Sequence, residues 1–146
     1  RGMEIINVPG ATGWIDTNYL GKAQAAIDAL SHVDIVYVHV EAPDEAGHAG
    51  LLREKVQAIE NFDEMVVGYI LTNIESMGIP FRVLFLPDHP TPVGKRTHTS
   101  DPVPFVLYDS TDTRNNPWKF CERDARETGL FIEEGHSLLG RLLQNR

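Results

Sequence analysis

The chain has 146 residues, 42% of them hydrophobic and 23% charged, with a formal net charge of −8; this is the balance of a globular domain with a core of its own. The charge argues against a sequence-independent nucleic-acid binder, which needs a positive surface, but not against a phosphate substrate, because bound divalent cations reverse the local sign. No stretch is long and apolar enough to span a membrane; no basic-then-apolar signal run follows Arg1-Gly2-Met3-Glu4; and the lone Cys121 excludes an internal disulfide and fits a reducing cytoplasm.

Met3-Glu4-Ile5-Ile6-Asn7-Val8 reads as a short strand stopped by Pro9-Gly10. The following Gly-rich loop, as far as Trp14, reads either as one that approaches a ligand or as a plain connection with a packed Trp14; it lacks the G-x-G-x-x-G and G-x-x-x-x-G-K-S/T spacings of a nucleotide loop. Asp16 or Thr17 can cap a helix running to about Leu30, with Leu20, Ala23, Ile27 and Leu30 on one face. The apolar run 33–40 reads as a buried strand. Strand, helix and strand make a parallel crossover unit of right-handed sense. A long helix is expected over 51–77. Leu52, Val56, Ile59, Phe62, Val66, Ile70, Ile74 and Met77 step by 3 or 4 and form one core-facing stripe. Glu54, Lys55, Glu60, Asp63 and Glu64 read as its solvated face. Gly78 ends the helix and Pro80 prevents its resumption. Residues 81–86 read as a third strand and 103–108 as a fourth, whose Pro104 suggests an edge position or a strand start. Residues 109–116 form a polar turn cluster. Leu138, Leu139, Leu142 and Leu143 mark a last helix packing onto the sheet.

The chemistry sits where strands end, as it does at the carboxyl edge of parallel sheets. The 33–40 run leads into Glu41-Ala42-Pro43-Asp44-Glu45-Ala46-Gly47-His48-Ala49-Gly50. Asp44 and His48 are four apart, which on a helical turn puts them on one face, about 5–6 Å from each other. A carboxylate oxygen and an imidazole nitrogen so placed can hold a divalent ion, and Gly47 and Gly50 let the backbone bend close. The third strand runs into Pro87-Asp88-His89-Pro90-Thr91-Pro92, a loop stiffened by its prolines. His98 follows shortly after. His32 lies in a turn and His136 opens the last helix. His39 reads as a packed strand histidine, an outer partner of the site if its ring reaches the loop.

Asp44, His48, Asp88, His89 and His98 thus gather at one edge of the expected sheet. Two metal ions held close together can clamp a phosphoryl group and activate a nucleophilic hydroxyl. Each ion takes about three or four protein ligands. Five groups are too many for one open tetrahedral ion and too few for two, so further ligands lie elsewhere. Glu41, Glu45 and Asp101 are weaker candidates within the chain. Mixed Asp and His ligands suit zinc, manganese or cobalt better than calcium.

These segments carry a resemblance. Pro43 to Gly50, then Pro87 to Pro92, then Arg96-Thr97-His98-Thr99-Ser100-Asp101-Pro102-Val103-Pro104-Phe105 resemble the cofactor-independent phosphoglycerate mutases of archaeal type, members of the alkaline phosphatase superfamily. Gly10-Ala11-Thr12-Gly13 followed by Asp16-Thr17 is similar to that family too. The resemblance covers about residues 2–108, and the tail loosely. It implies an α/β fold, a three-layer α/β/α sandwich with a mostly parallel, alkaline phosphatase-like sheet, incomplete in this chain. Residues 1–146 would be the carboxyl-terminal part of that phosphatase-like metalloenzyme domain. It also implies two divalent metal ions, manganese, zinc or magnesium. Asp44, His48 and His98 match the positions that hold one ion; Asp88 and His89 match part of the other. The remaining ligands of the second ion, an aspartate and the nucleophilic serine near the amino terminus, have no counterpart here. Thr99 and Ser100 do not match the nucleophile. The inserted domain with most of the substrate arginines has no counterpart either. The reaction implied passes the phosphoryl group of 3-phosphoglycerate to that serine and back to the 2-position.

Three readings of function follow. The chain is the metal-binding portion of such a phosphoglycerate mutase, inactive alone; or of another superfamily member, a phosphopentomutase or phosphate-ester hydrolase; or it is a non-catalytic metal-binding domain. As a fragment it is expected to expose apolar sheet and an unpaired edge. Its expected partners are the missing amino-terminal part of the same protein, a second copy of itself and a small phosphorylated substrate in the cytoplasm, with no nucleic acid and no membrane.

Overall fold

The computed structural model describes residues 2–114 and 116–144. The chain divides into two units, Arg1–Ile79 with Thr91–Thr99, and Pro80–Pro90 with Ser100–Arg146.

The first unit is helical. Helix α1 spans Tyr19–Ala29. Its cap is Asn18, whose side-chain oxygen accepts the Gly21 amide at 2.9 Å. Neither Asp16 nor Thr17 caps it, because the preceding loop takes both side chains. The Thr12 amide donates to the Thr17 hydroxyl at 2.9 Å, and the Thr12 hydroxyl donates to Asp16 at 3.1 Å. Helix α2, Ala42–Ala49, has Pro43 in its first turn and ends at Gly50 in the left-handed conformation, φ 75°. The expected long helix is present in three parts: α3, Leu52–Asn61; a wider π-helical turn, Phe62–Gly68; and α4, Tyr69–Ser76. The apolar spacing does not reveal that wider turn.

The core of this unit is Tyr19, Ala23, Ala42, Ala58 and Val66, with Val38, Val40, Phe62, Tyr69 and Ile70 packed against it. Three of the five are alanines, so the helices approach closely. Only the middle of the long stripe, from Phe62 to Ile74, is covered. Val66 and Ile74 are buried, while Leu52 is 63%, Val56 46% and Ile59 49% exposed. The reason is that α1 packs on the π-helical turn and α4.

The two expected strands at 3–8 and 33–40 carry no ladder among the described residues, so the parallel crossover is not formed. Alternation persists in 33–40: Val36, Val38 and Val40 are half-buried, whereas Ile35, Tyr37 and His39 are exposed. A strand is completed by a neighbour's backbone, and no described segment supplies one.

In the second unit, β1 (Arg82–Phe85) pairs antiparallel with β2 (Val106–Asp109), Arg82 opposite Asp109 and Phe85 opposite Val106. This two-stranded ladder stands where a mostly parallel sheet is expected. β2 starts at Val106 rather than 103, since Pro102 and Pro104 have no amide to give a ladder. Arg82 ties the unit together. Its Nε donates to Asp109 at 2.9 Å, and its guanidinium also reaches the carbonyls of Leu142 and Gln144. The polar cluster after β2 is turn and coil over its described residues; Asn115 lies outside them. Two short helices follow, α5 (Glu122–Glu127) and α6 (Ser137–Leu143). Leu138 is buried, while Leu139 and Leu143 are about half exposed, so part of the leucine run packs. Among the described residues no helix is long and apolar enough to cross a membrane.

Two outcomes follow from this packing. Val66→Ala removes apolar groups from a fully buried site and should cost about 2 kcal/mol, read as a lower urea midpoint. Val106→Ala, at a position 37% exposed, should cost much less. Asp109 is held down to about 2 by the Thr111 hydroxyl, then the Thr111 amide and Arg82. A depressed carboxylate stabilises the fold above its unfolded value of 3.8, and that contribution is lost as pH falls through the folded value. By NMR titration Asp109 should have its midpoint near 2, and Thr111→Val should move it up toward 3.8.

Candidate metal centre

Helix α2 begins directly after the 33–40 segment, with Pro43 fixing the geometry of its first turn. Asp44 and His48 lie one turn apart, with His48 Nε2 3.3 Å from Asp44 Oδ2. The loop after Pro92 supplies the third group. A tight turn, in which the Lys95 and Arg96 amides donate to the Pro92 carbonyl at 2.9 Å, brings His98 back over α2. His98 Nε2 lies 3.5 Å from Asp44 Oδ1 and 3.0 Å from His48 Nε2. The ligand atoms of Asp44, His48 and His98 all fall within 4.8 Å of one another, the only such group among the described residues. All three belong to the first unit.

His48 is oriented by a backbone carbonyl. His48 Nδ1 is 3.1 Å from the Arg96 carbonyl. A carbonyl only accepts, so Nδ1 carries the hydrogen and Nε2 presents its lone pair to the cluster. Arg96 holds that carbonyl in place from the left-handed region, φ 54°, a conformation that costs a non-glycine residue about 1–2 kcal/mol. Its guanidinium fills the space where a side chain at Gly50 would stand.

The carboxylate is held by a further group. Thr91 is 3% exposed, and its hydroxyl donates to Asp44 Oδ1. The Thr91 carbonyl in turn accepts from Lys55 Nζ at 2.8 Å. Burial pushes the Lys55 ammonium below its ordinary range, while the charge of Asp44 pulls it back up. Gly47 makes room for this contact: a Cβ there would lie 2.5 Å from the Thr91 carbonyl and 3.0 Å from Lys55 Nζ.

Asp88 and His89 stand in the second unit. His89 Nε2 is 3.4 Å from Asp88 Oδ2, and the His89 amide donates to Asp88 Oδ1 at 3.0 Å. The Asp88 side chain is 64% exposed. Glu41, Glu45 and Asp101 join no three-ligand group among the described residues. His32 is exposed beside Ser31, and His136 is exposed beside Glu134. His39 is not packed as expected; it is exposed, its ring 6.2 Å from that of Tyr37, because it lies on the open side of the 33–40 alternation. Sequence reasoning missed Thr91, Lys55 and Arg96. Lys55 reads as a surface lysine, Thr91 as one residue of a proline-rich loop, and the left-handed turn at Arg96 carries no residue-type signal.

Two imidazole nitrogens and a carboxylate oxygen, one nitrogen already aimed by a backbone carbonyl, form a donor set that fits a divalent cation of the zinc or manganese kind. Such an ion polarises a phosphoryl oxygen as a Lewis acid.

The description "Metalloenzyme superfamily" matches residues 1–136. The 2,3-bisphosphoglycerate-independent phosphoglycerate mutase of Methanothrix thermoacetophila is 51% identical over 142 residues, 97% of this chain and 36% of that protein. The probable enzyme of the same name from Geobacter sulfurreducens is 50% identical over 97% of this chain and 36% of its own length. The chain thus spans little more than a third of these curated relatives. The solved structure of a Pyrococcus horikoshii protein superposes with a TM-score of 0.85 at 31% identity, covering 97% of this chain and 42% of that one.

In calorimetric titration with manganese or zinc, His48→Ala or His98→Ala should weaken binding by more than the about 10–100-fold that loss of an outer partner costs. Asp88→Ala should leave that ion bound.

Proposed function

The chain belongs to the metalloenzyme superfamily, and on that premise we propose that it is the carboxyl-terminal, metal-binding portion of a phosphoglycerate mutase. The convergence of Asp44, His48 and His98 within 4.8 Å is the observation that carries this reading. In it these three residues hold one divalent ion. Asp88 and His89 contribute to a second, whose other ligands and whose nucleophilic serine lie outside this chain. The ions are manganese, zinc or magnesium, and they supply charge stabilisation to the phosphoryl oxygens.

The roles of this chain's own residues follow from its contacts. Asp44 and His48 present their donors from one helical face. The Arg96 carbonyl keeps the hydrogen of His48 on Nδ1, away from the reacting side. The reaction so served is the interconversion of 3-phosphoglycerate and 2-phosphoglycerate through a phosphoserine intermediate, in the cytoplasm.

The same reading gives the fold its finer description. Residues 1–146 form the carboxyl-terminal part of a three-layer α/β/α domain, in which 3–8 and 33–40 become strands once the amino-terminal part is present. Three observations support this. The chain spans 36% of its relatives. The two segments lack ladder partners among the described residues. Apolar side chains on the side away from the core stand open, Ile5 being 85% and Tyr37 71% exposed. Unpaired edges of this kind also favour self-association in isolation.

A coupled assay tests the activity. The isolated chain should show no mutase turnover. In the full-length protein, His98→Ala and Asp88→Ala should each lower kcat by about 100-fold or more. Turnover of a phosphopentose at a higher kcat/KM than phosphoglycerate would overturn the substrate assignment.

A further inference from the structure

The metal reading leaves three residues without a role: Gly47, Lys55 and Thr91. They form a connected backing at Asp44. The Thr91 hydroxyl donates to Asp44 Oδ1. Lys55 Nζ donates to the Thr91 carbonyl at 2.8 Å. The backbone of α2 at Gly47 passes so close to this pair that a Cβ would fall 2.5 Å from the carbonyl oxygen and 3.0 Å from Nζ. Thr91 is 3% exposed, so water does not compete for its hydroxyl.

We propose that Thr91 and Lys55 are positioning residues that orient the Asp44 carboxylate for its ion, with Gly47 as the clearance that lets them reach it. The inference rests on the assignment of Asp44, His48 and His98 as ligands. The Thr91 hydroxyl holds Oδ1, so the carboxylate is fixed in rotation, with Oδ2 3.3 Å from His48 Nε2 and Oδ1 3.5 Å from His98 Nε2. Lys55 acts at one remove: it fixes the Thr91 backbone, and so the direction of the hydroxyl. A carboxylate whose rotation is already restricted loses less entropy when the ion arrives, and outer partners of metal ligands act in this way. Position 47 is then closed to any side chain, because α2 cannot move off Thr91 without carrying Asp44 with it.

The test uses the full-length protein, stripped with a chelator and titrated with manganese. Thr91→Val keeps the shape and removes the hydroxyl; it should weaken binding at the His48-dependent site by about 10–100-fold, and Thr91→Ser should restore it. Lys55→Met should weaken binding in the same direction, a second line of evidence if the valine variant folds poorly. The melting temperature in chelator should stay within a degree or two of wild type for Thr91→Val, separating orientation from general destabilisation. Wild-type affinity in both Thr91→Val and Lys55→Met would overturn the inference and leave the metal assignment standing. Absence of any His48-dependent manganese binding in wild type would overturn both.

Discussion

The arrangement depends on how closely the 91–98 loop approaches helix α2. Three contacts set that approach. His48 leans on the Arg96 carbonyl, the Thr91 hydroxyl meets Asp44, and Gly47 leaves the gap through which Thr91 and Lys55 arrive. The first two contacts each place a candidate ligand against a chain segment 48 and 47 residues away. Neither segment could present a three-donor group alone. Helix α2 supplies two candidate ligands at one spacing, and the loop supplies the third together with groups that contact the first two.

This division explains what the amino-acid sequence discloses. Asp44 and His48 are legible because helical spacing is local and periodic. His98 is legible by residue type and by the segment around it. Thr91 and Lys55 are not, because their roles arise from contacts 47 and 36 residues apart. The fold shows the same split. Helix α1, the 51–77 helix and the β1 segment follow from apolar periodicity and punctuation by glycine and proline. The side-chain alternation of 33–40 is equally plain, but alternation reports which side is apolar and not which backbone lies alongside. The stripe from Leu52 to Ile59 makes the point for helices: its periodicity is unbroken, yet those side chains are exposed. The antiparallel partnership of β1 and β2 could not be read at all, since nothing in either segment encodes direction.

The second unit is organised by charge as much as by apolar contact. Arg82 sits in the ladder opposite Asp109 and also reaches the carbonyls near the end of α6. One guanidinium thereby satisfies a carboxylate and backbone acceptors that would otherwise depend on solvent. Such planar, many-donor bridging is what arginine does and lysine cannot. The short leucine run of α6 buries Leu138 but leaves Leu139 and Leu143 about half exposed, which is a small apolar anchor for a seven-residue helix.

Residues 33–40 pass without interruption into Glu41 and the first turn of α2. The segment with an open backbone edge is therefore the segment that carries Asp44 and His48 into place. A chain completing that edge and an ion held by Asp44 and His48, as proposed, would act on one stretch of backbone. Ordering that stretch costs entropy once, and whichever ligand comes second finds it already ordered. The two occupancies are then coupled, and the coupling is reciprocal: a strand that raises the affinity for the ion is itself held more tightly, by the same factor, when the ion is bound.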